Sequence, residues 1–332
     1  MLMRICMRGL RLGLVTSLSL VTATGLSAAS AQRLRMSGDV APKRLYQRLL
    51  AQLSDSGGPR VDYQVGRPAS GRLGLTAQRV DLGVSDSPMR PEDMAKVKQG
   101  VVQIPVVGEA IAIAYNKPGC DLKLSQEQLV LLAMGEITNW ERLGCASGPI
   151  AWIHPADASS ATLALTQSMQ LFSTQWTLGV DNIVLWPGRN AVAVRNIAGV
   201  AERLTQQEGS MGYLPGSAMQ DTLIAAAVQN RKGEFVLPSP AAGAAALNAI
   251  ALDFNLAGFA PNPVAEGAYP ITRLSWLLAY RSGNRESTEA VQAVITFLLS
   301  DQAQREAAGY GWIPLRGLIL EKARAAVAKI AI

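Results

Sequence analysis

The chain has 332 residues, of which 49% are hydrophobic and 17% charged, with a net charge of +6, three cysteines and a single histidine. That length supports two domains or one large one, each able to bury a full core. No run of five or six basic residues accompanies the charge, which argues against nucleic-acid binding. One histidine, no Gly-x-Ser-x-Gly and no metal-spaced His/Cys/Asp cluster leave a hydrolase triad or a zinc site without its parts, and no cofactor is expected.

Arg4, Arg8 and Arg11 precede the apolar stretch from Leu12 to Leu26 and the small residues Ser27-Ala28-Ala29-Ser30-Ala31. This is the tripartite pattern of a secretory signal peptide, with Ala29-x-Ala31 as its cleavage site. The apolar run falls short of the ~20 residues of a spanning helix. Cys6 lies in the basic leader rather than after the apolar run, so the arrangement of a lipid-anchored protein is missing. Removal of residues 1–31 predicts a periplasmic, exported chain that does not itself span the membrane. Cys120 and Cys145 remain. In an oxidising compartment they can pair, which would stabilise by roughly 3 kcal/mol in the chain-entropy model; two buried thiols are the alternative, because spacing does not fix geometry.

Short apolar runs alternate with longer helical patterns, as in α/β layers. Leu73 to Ala77 predicts a helix after the turn Pro68-Ala69-Ser70-Gly71. Arg79 to Val84 reads as a strand, Ser85-Asp86-Ser87-Pro88 as a turn, and Pro91 to Lys98 as a helix. Ile111 to Tyr115 is a strand closed by Asn116-Lys117-Pro118-Gly119. Ser125 and Gln128 form a capping box for a helix to Met134, with Gly135 suited to the position after it. Ile150 to His154 is strand-like, and Ala158 to Phe172 is helical with Asp157 or Ser159 as its cap. Ala241 to Ala260 is a core-packing segment. Val291, Val294, Ile295, Leu298 and Leu299 follow the spacing of a helix with one buried face, and a further helix runs from Asp301 to Ala308.

Two strand-to-helix turns carry short hydroxyl and carboxylate side chains: Ser85-Asp86-Ser87 and Asp157-Ala158-Ser159-Ser160. Both fall at carboxyl ends of strands, where open α/β sheets bind ligands. A helix start offers unpaired amides and the positive end of its dipole to an anion. Each turn also has a structural explanation, as a cap or a closed turn. Ser70 marks a third such turn.

The order and spacing of many short segments resemble the PstS-type phosphate-binding proteins of bacterial phosphate ABC importers. The segments are Asp62-Tyr63-Gln64, Val80 to Met89, Gln103 to Gly108 with Ala112 to Asn116, Leu129 to Trp140, Trp186-Pro187-Gly188, Gly209 to Tyr213 and Tyr269 to Thr272. The resemblance implies the two-lobed periplasmic-binding fold (type II, Venus-flytrap), with mixed sheets flanked by helices and a hinge crossed twice by the chain. Residues 32–112 with 274–332 would form one lobe and 113–273 the other. It further implies phosphate as ligand, an ABC importer permease as partner, and no catalysis. An organophosphate, another oxyanion or a sensing role is the alternative.

The resemblance places substrate contacts on Ser70, Ser85, Asp86, Asp157, Ser159, Ser160 and Ala161. The pocket departs from the family, however. Where the family has Arg-x-Asp-Gly-Ser-Gly-Thr, this chain reads Pro155-Ala156-Asp157-Ala158-Ser159-Ser160-Ala161, so the arginine is Pro155 and the threonine Ala161. Val40-Ala41 replaces a Thr-Phe pair, and Ala191 to Val194 replaces a glycine-rich stretch. A bidentate arginine is the strongest single donor to a dehydrated oxyanion. Arg67, Arg72, Arg189 or a protonated His154 is therefore expected to supply the missing charge. Asp86 can only accept, so it favours an oxyanion that still carries a proton, as phosphate does near neutral pH and sulfate does not.

Overall fold

A computed structural model describes residues 33–39, 41–66 and 69–332 of the chain. The leader, Val40, Arg67 and Pro68 lie outside the described residues. Eight strands, taken in chain order, make the main path of the larger sheet: β1 (Arg33–Gly38), β2 (Arg60–Val65), β3 (Leu82–Ser85), β4 (Val101–Asn116), β5 (Ala151–Pro155), β6 (Ala191–Val194), β7 (Ser210–Pro215) and β8 (Thr272–Tyr280). Their spatial order is β2-β1-β3-β8-β4-β7-β5-β6. The sheet is mixed: β2, β1 and β3 run parallel, as do β7, β5 and β6, whereas β8 is antiparallel to both β3 and β4.

β4 joins two halves. Val101 to Ala110 pair with β8, and Ile111 to Asn116 pair with β7. The partner change falls between Ala110 and Ile111, where the Ile111 amide donates to the Ile271 carbonyl just before β8 begins. The sequence predicts only the second half of β4, Ile111 to Tyr115. In the first half the register with β8 shifts between Ser275 and Trp276, which face Val107 and Pro105, so Val106 is an extra residue on β4.

The helices pack on both halves through apolar faces. In α1 (Lys43–Asp55), Leu45, Tyr46, Leu49, Leu50 and Leu53 are buried, each large side chain contributing on the order of 1.5–3 kcal/mol. α2 (Ser70–Thr76) follows β2, and its glycines allow close packing: a Cβ on Gly71 would lie 2.2 Å from the Val84 carbonyl oxygen. The capping box is present, with Ser125 Oγ accepting from the Gln128 amide and Gln128 Oε1 from the Ser125 amide, at the head of α3 (Gln126–Ala133). α4 (Ser160–Phe172) follows β5 and α5 (Ile197–Gln206) follows β6. Thr288–Leu298 and Asp301–Gly309 are the two helices expected near the end.

The helix expected from Pro91 to Lys98 stops at Met94, and the chain leaves it through tight turns in which Lys96 donates to Asp93 and Val97 to Met94. Cys120 and Cys145 are bonded, their Cα atoms 5.4 Å apart. Among the described residues no helix is long and apolar enough to cross a membrane.

Candidate functional site

The carboxyl ends of β1, β3 and β5 open toward one cleft. After β3, Ser85, Asp86 and Ser87 form a turn beneath the first turn of α2. Arg72, fixed by the close approach of Gly71 to Val84, lies across it. Its Nη1 donates to Ser85 Oγ at 3.0 Å and Ser87 Oγ at 2.5 Å, and stands 3.9 Å from Asp86 Oδ1. Ala69, at the head of α2, holds a φ of 74°, a left-handed conformation that disfavours a side chain and is often retained at ligand clamps.

A second guanidinium reaches the same carboxylate from β8. Arg273 Nη1 is 3.8 Å from Asp86 Oδ2, so neither arginine hydrogen-bonds Asp86 at these separations. Arg273 pairs in register with Glu109 of β4, which accepts from its Nε at 3.0 Å and also from its Nη2. Glu109, fully buried, takes a further bond from Ser217 Oγ at 2.7 Å. Burial pushes the Glu109 and Asp86 carboxyls above the usual range, with Arg273 partly offsetting it in both cases. Burial alone would lower the Arg273 pKa, but the Glu109, Asp86 and Asp39 charges outweigh it and raise the pKa, so the guanidinium stays charged.

The facing wall comes from β5 and α4. Its turn is largely committed to its own fold: the amides of Ala156, Asp157 and Ser159 donate to Val194, Arg195 and Asn182 carbonyls. Ser159 is the helix cap, its Oγ accepting from the Ala161 amide. Asp157 is exposed, whereas Ser159 and Ser160 are buried. Two cavities meet at Ser160. One, of about 10 Å3, is bounded by Asp86, Arg273, Ser160, Gln167 and Trp276, and has the size of about one water. The other, of about 460 Å3, lies between Asp39, Lys43 and Arg44 on one side and Asp157, Ser159 and Ser160 on the other, with many apolar neighbours such as Ile197 and Met219.

The structure thus brings Asp86, Asp157, Ser159 and Ser160 to one cleft, with Arg72 among the expected cations. Ser85 is at the turn but its hydroxyl is engaged there, donating to the Ser87 carbonyl. Ser70 opens α2, its carbonyl accepting from Ser37 Oγ, and Ala161 is fully buried within α4. His154 does not line the cleft. Its ring packs 5.8 Å from that of Trp186 with Nδ1 against the Pro155 carbonyl, and burial lowers its pKa, so it carries no charge there at neutral pH. Arg189 is exposed on the loop before β6. Arg273, Glu109 and Ser217 were missed by the sequence reading. The available signal was one charged residue of each sign inside two otherwise apolar strands.

Among the described residues no group of three or more His, Cys, Asp or Glu side chains is placed to hold a metal ion. The site is a set of fixed donors around one buried carboxylate, suited to holding a protonated oxyanion.

A family model described as a PBP superfamily domain matches residues 23–302. The chain belongs to the PBP superfamily. Within it, the PstS-type resemblance is borne out. A phosphate-binding protein PstS of Pasteurella multocida is 26% identical over 331 residues, covering 93% of each chain. The PstS of Haemophilus influenzae is 29% identical over 311 residues, covering 87% of this chain and 91% of its own. Among solved structures, a high-affinity periplasmic phosphate-binding protein (PfluDING) bound with phosphate superposes with a TM-score of 0.73 at 19% identity, covering 89% of this chain and 93% of the other. The PBP architecture is a two-lobed fold, in keeping with a long β4 that changes partner from β8 to β7 along its length.

Proposed function

We propose that this chain is an exported, periplasmic solute-binding protein that holds inorganic phosphate between its lobes and delivers it to the permease of an ABC importer, without catalysis. The observation that carries this reading is the Asp86 carboxylate, its side chain only 8% exposed, set between two guanidinium groups that do not hydrogen-bond it and opposite the start of α4. A hydrogen phosphate can donate its proton to Asp86 while its other oxygens accept from a guanidinium, from Ser160 and from amides heading α4. Ser159 and Asp157 line the larger cavity that adjoins it at Ser160. Residues 32–112 with 274–332 form one lobe and 113–273 the other in this reading, so Asp86 and Ser160 approach each other when the hinge closes.

One observation favours a second reading, a phosphomonoester as ligand. The adjoining cavity of about 460 Å3 is of the size that takes drug-sized molecules, ~300–1,000 Å3. A thermal-shift comparison of phosphate, sulfate and small phosphomonoesters separates the two. A ligand at a hundredfold excess over its Kd stabilises by about 2.7 kcal/mol, a rise of several degrees. Phosphate should give the largest rise at equal concentration; a larger rise with a phosphomonoester would shift the assignment to the organic ligand.

A further inference from the structure

Arg273 has a donor to spare. Its Nε and Nη2 are held by Glu109, whereas Nη1 is buried and has no hydrogen-bond partner. Buried donors are almost always paired in folded proteins, so an unpaired one on a charged group, facing a cavity, points to a missing acceptor. The cavity it faces is the one bounded by Asp86 and Ser160. Arg72 is differently placed: its Nη1 is occupied by the hydroxyls of Ser85 and Ser87 in the turn after β3.

Orientation reinforces the point. Glu109 sits directly across from Arg273 in the β4–β8 ladder and is itself anchored by Ser217, so the guanidinium cannot swing. Its free edge is aimed at Asp86 with a 3.8 Å gap, too long for a hydrogen bond and suited to a third group that accepts from one and donates to the other. The opposite wall is the first residue of the 13-residue helix α4, whose end favours negative charge.

We infer that Arg273 is the principal ligand-binding guanidinium of this cleft, its Nη1 donating to an oxyanion that bridges it to Asp86 and so supplying from β8 the charge that Pro155 does not. This rests on the phosphate reading above and specifies the donor. Because Arg273 and Glu109 lie on the two strands at the point where they pass between lobes, the same contact ties an occupied site to the hinge.

The test uses the exported chain stripped of bound ligand and titrated with inorganic phosphate. Arg273→Lys keeps a positive charge beside Glu109 but removes the fork, and should weaken phosphate binding roughly 10- to 100-fold, as expected for a lost charged hydrogen bond, while the melting temperature stays within a few degrees. The paired change Arg273→Gln with Glu109→Gln removes both charges of that pair together, with Arg72 still beside Asp86, and should lose at least as much affinity. In the parent, the Arg273 side-chain 15Nη resonance should shift on phosphate addition, a readout that needs no variant to fold. Unchanged affinity in a folded variant, or a resonance that stays in place while phosphate binds, overturns the assignment of Arg273 alone. A parent that binds no phosphate overturns the phosphate reading and this one together.

Discussion

The two walls of the cleft use the same kinds of residue to opposite ends. On the β3 side, Ser85 and the Asp86 side chain are buried and Ser87 half-buried, the turn braced by Arg72 and flanked by Arg273, with its carboxylate hydrogen-bonded to neither cation. On the β5 side, Asp157 is exposed, Ser159 is spent as a helix cap, and the turn's amides are tied to neighbouring carbonyls. A turn of serines and an aspartate is therefore not a site in itself. It becomes a candidate where a cation is fixed close by with a donor left unsatisfied, as Arg273 is. In the proposed reading the positive charge comes from Arg273 on β8, because Pro155 of the β5 turn carries no donor.

The largest effect is expected at Glu109. Glu109→Ala would leave the Arg273 guanidinium buried without its partner and should cost about 3–5 kcal/mol of stability, read by urea unfolding. A loss below about 1 kcal/mol would mean that the pair does not hold Arg273 in place. The β5 wall should respond more mildly. Ser159→Ala removes a cap and should cost ~1 kcal/mol in the same unfolding measurement. A negligible change there would show that the serine is kept for the ligand and not for the helix.

Local features were legible in the sequence wherever the physics is local. The Ser125–Gln128 capping box depends on residues three apart, and the cap of α4 fell between the two candidates named, Asp157 and Ser159, with Ser159 taking the role. Alternating elements and ordered segments identified the layer architecture. The Arg273–Glu109 pair was not legible, because its partners are 164 residues apart and meet only through the register of two strands. His154 misled for a related reason. A polar residue at a strand end looks the same in sequence whether it faces the cleft or the core, and the choice is made here by Trp186, which arrives from a distant loop to cover the ring. The first half of β4 was not picked out as a strand, and there Val106 is an extra residue between the β8 partners Pro105 and Val107.

A buried, acceptor-only carboxylate at position 86 should select an oxyanion that still carries a proton. Calorimetric titration of the ligand-free protein with phosphate and with sulfate at pH 7 tests it directly, with Asp86→Asn alongside. The parent should bind phosphate at one site and sulfate at least tenfold more weakly, a difference of about 1.4 kcal/mol or more, and the asparagine variant should narrow that gap. Equal affinity of the parent for the two anions, or no heat from either at millimolar concentration, would contradict it.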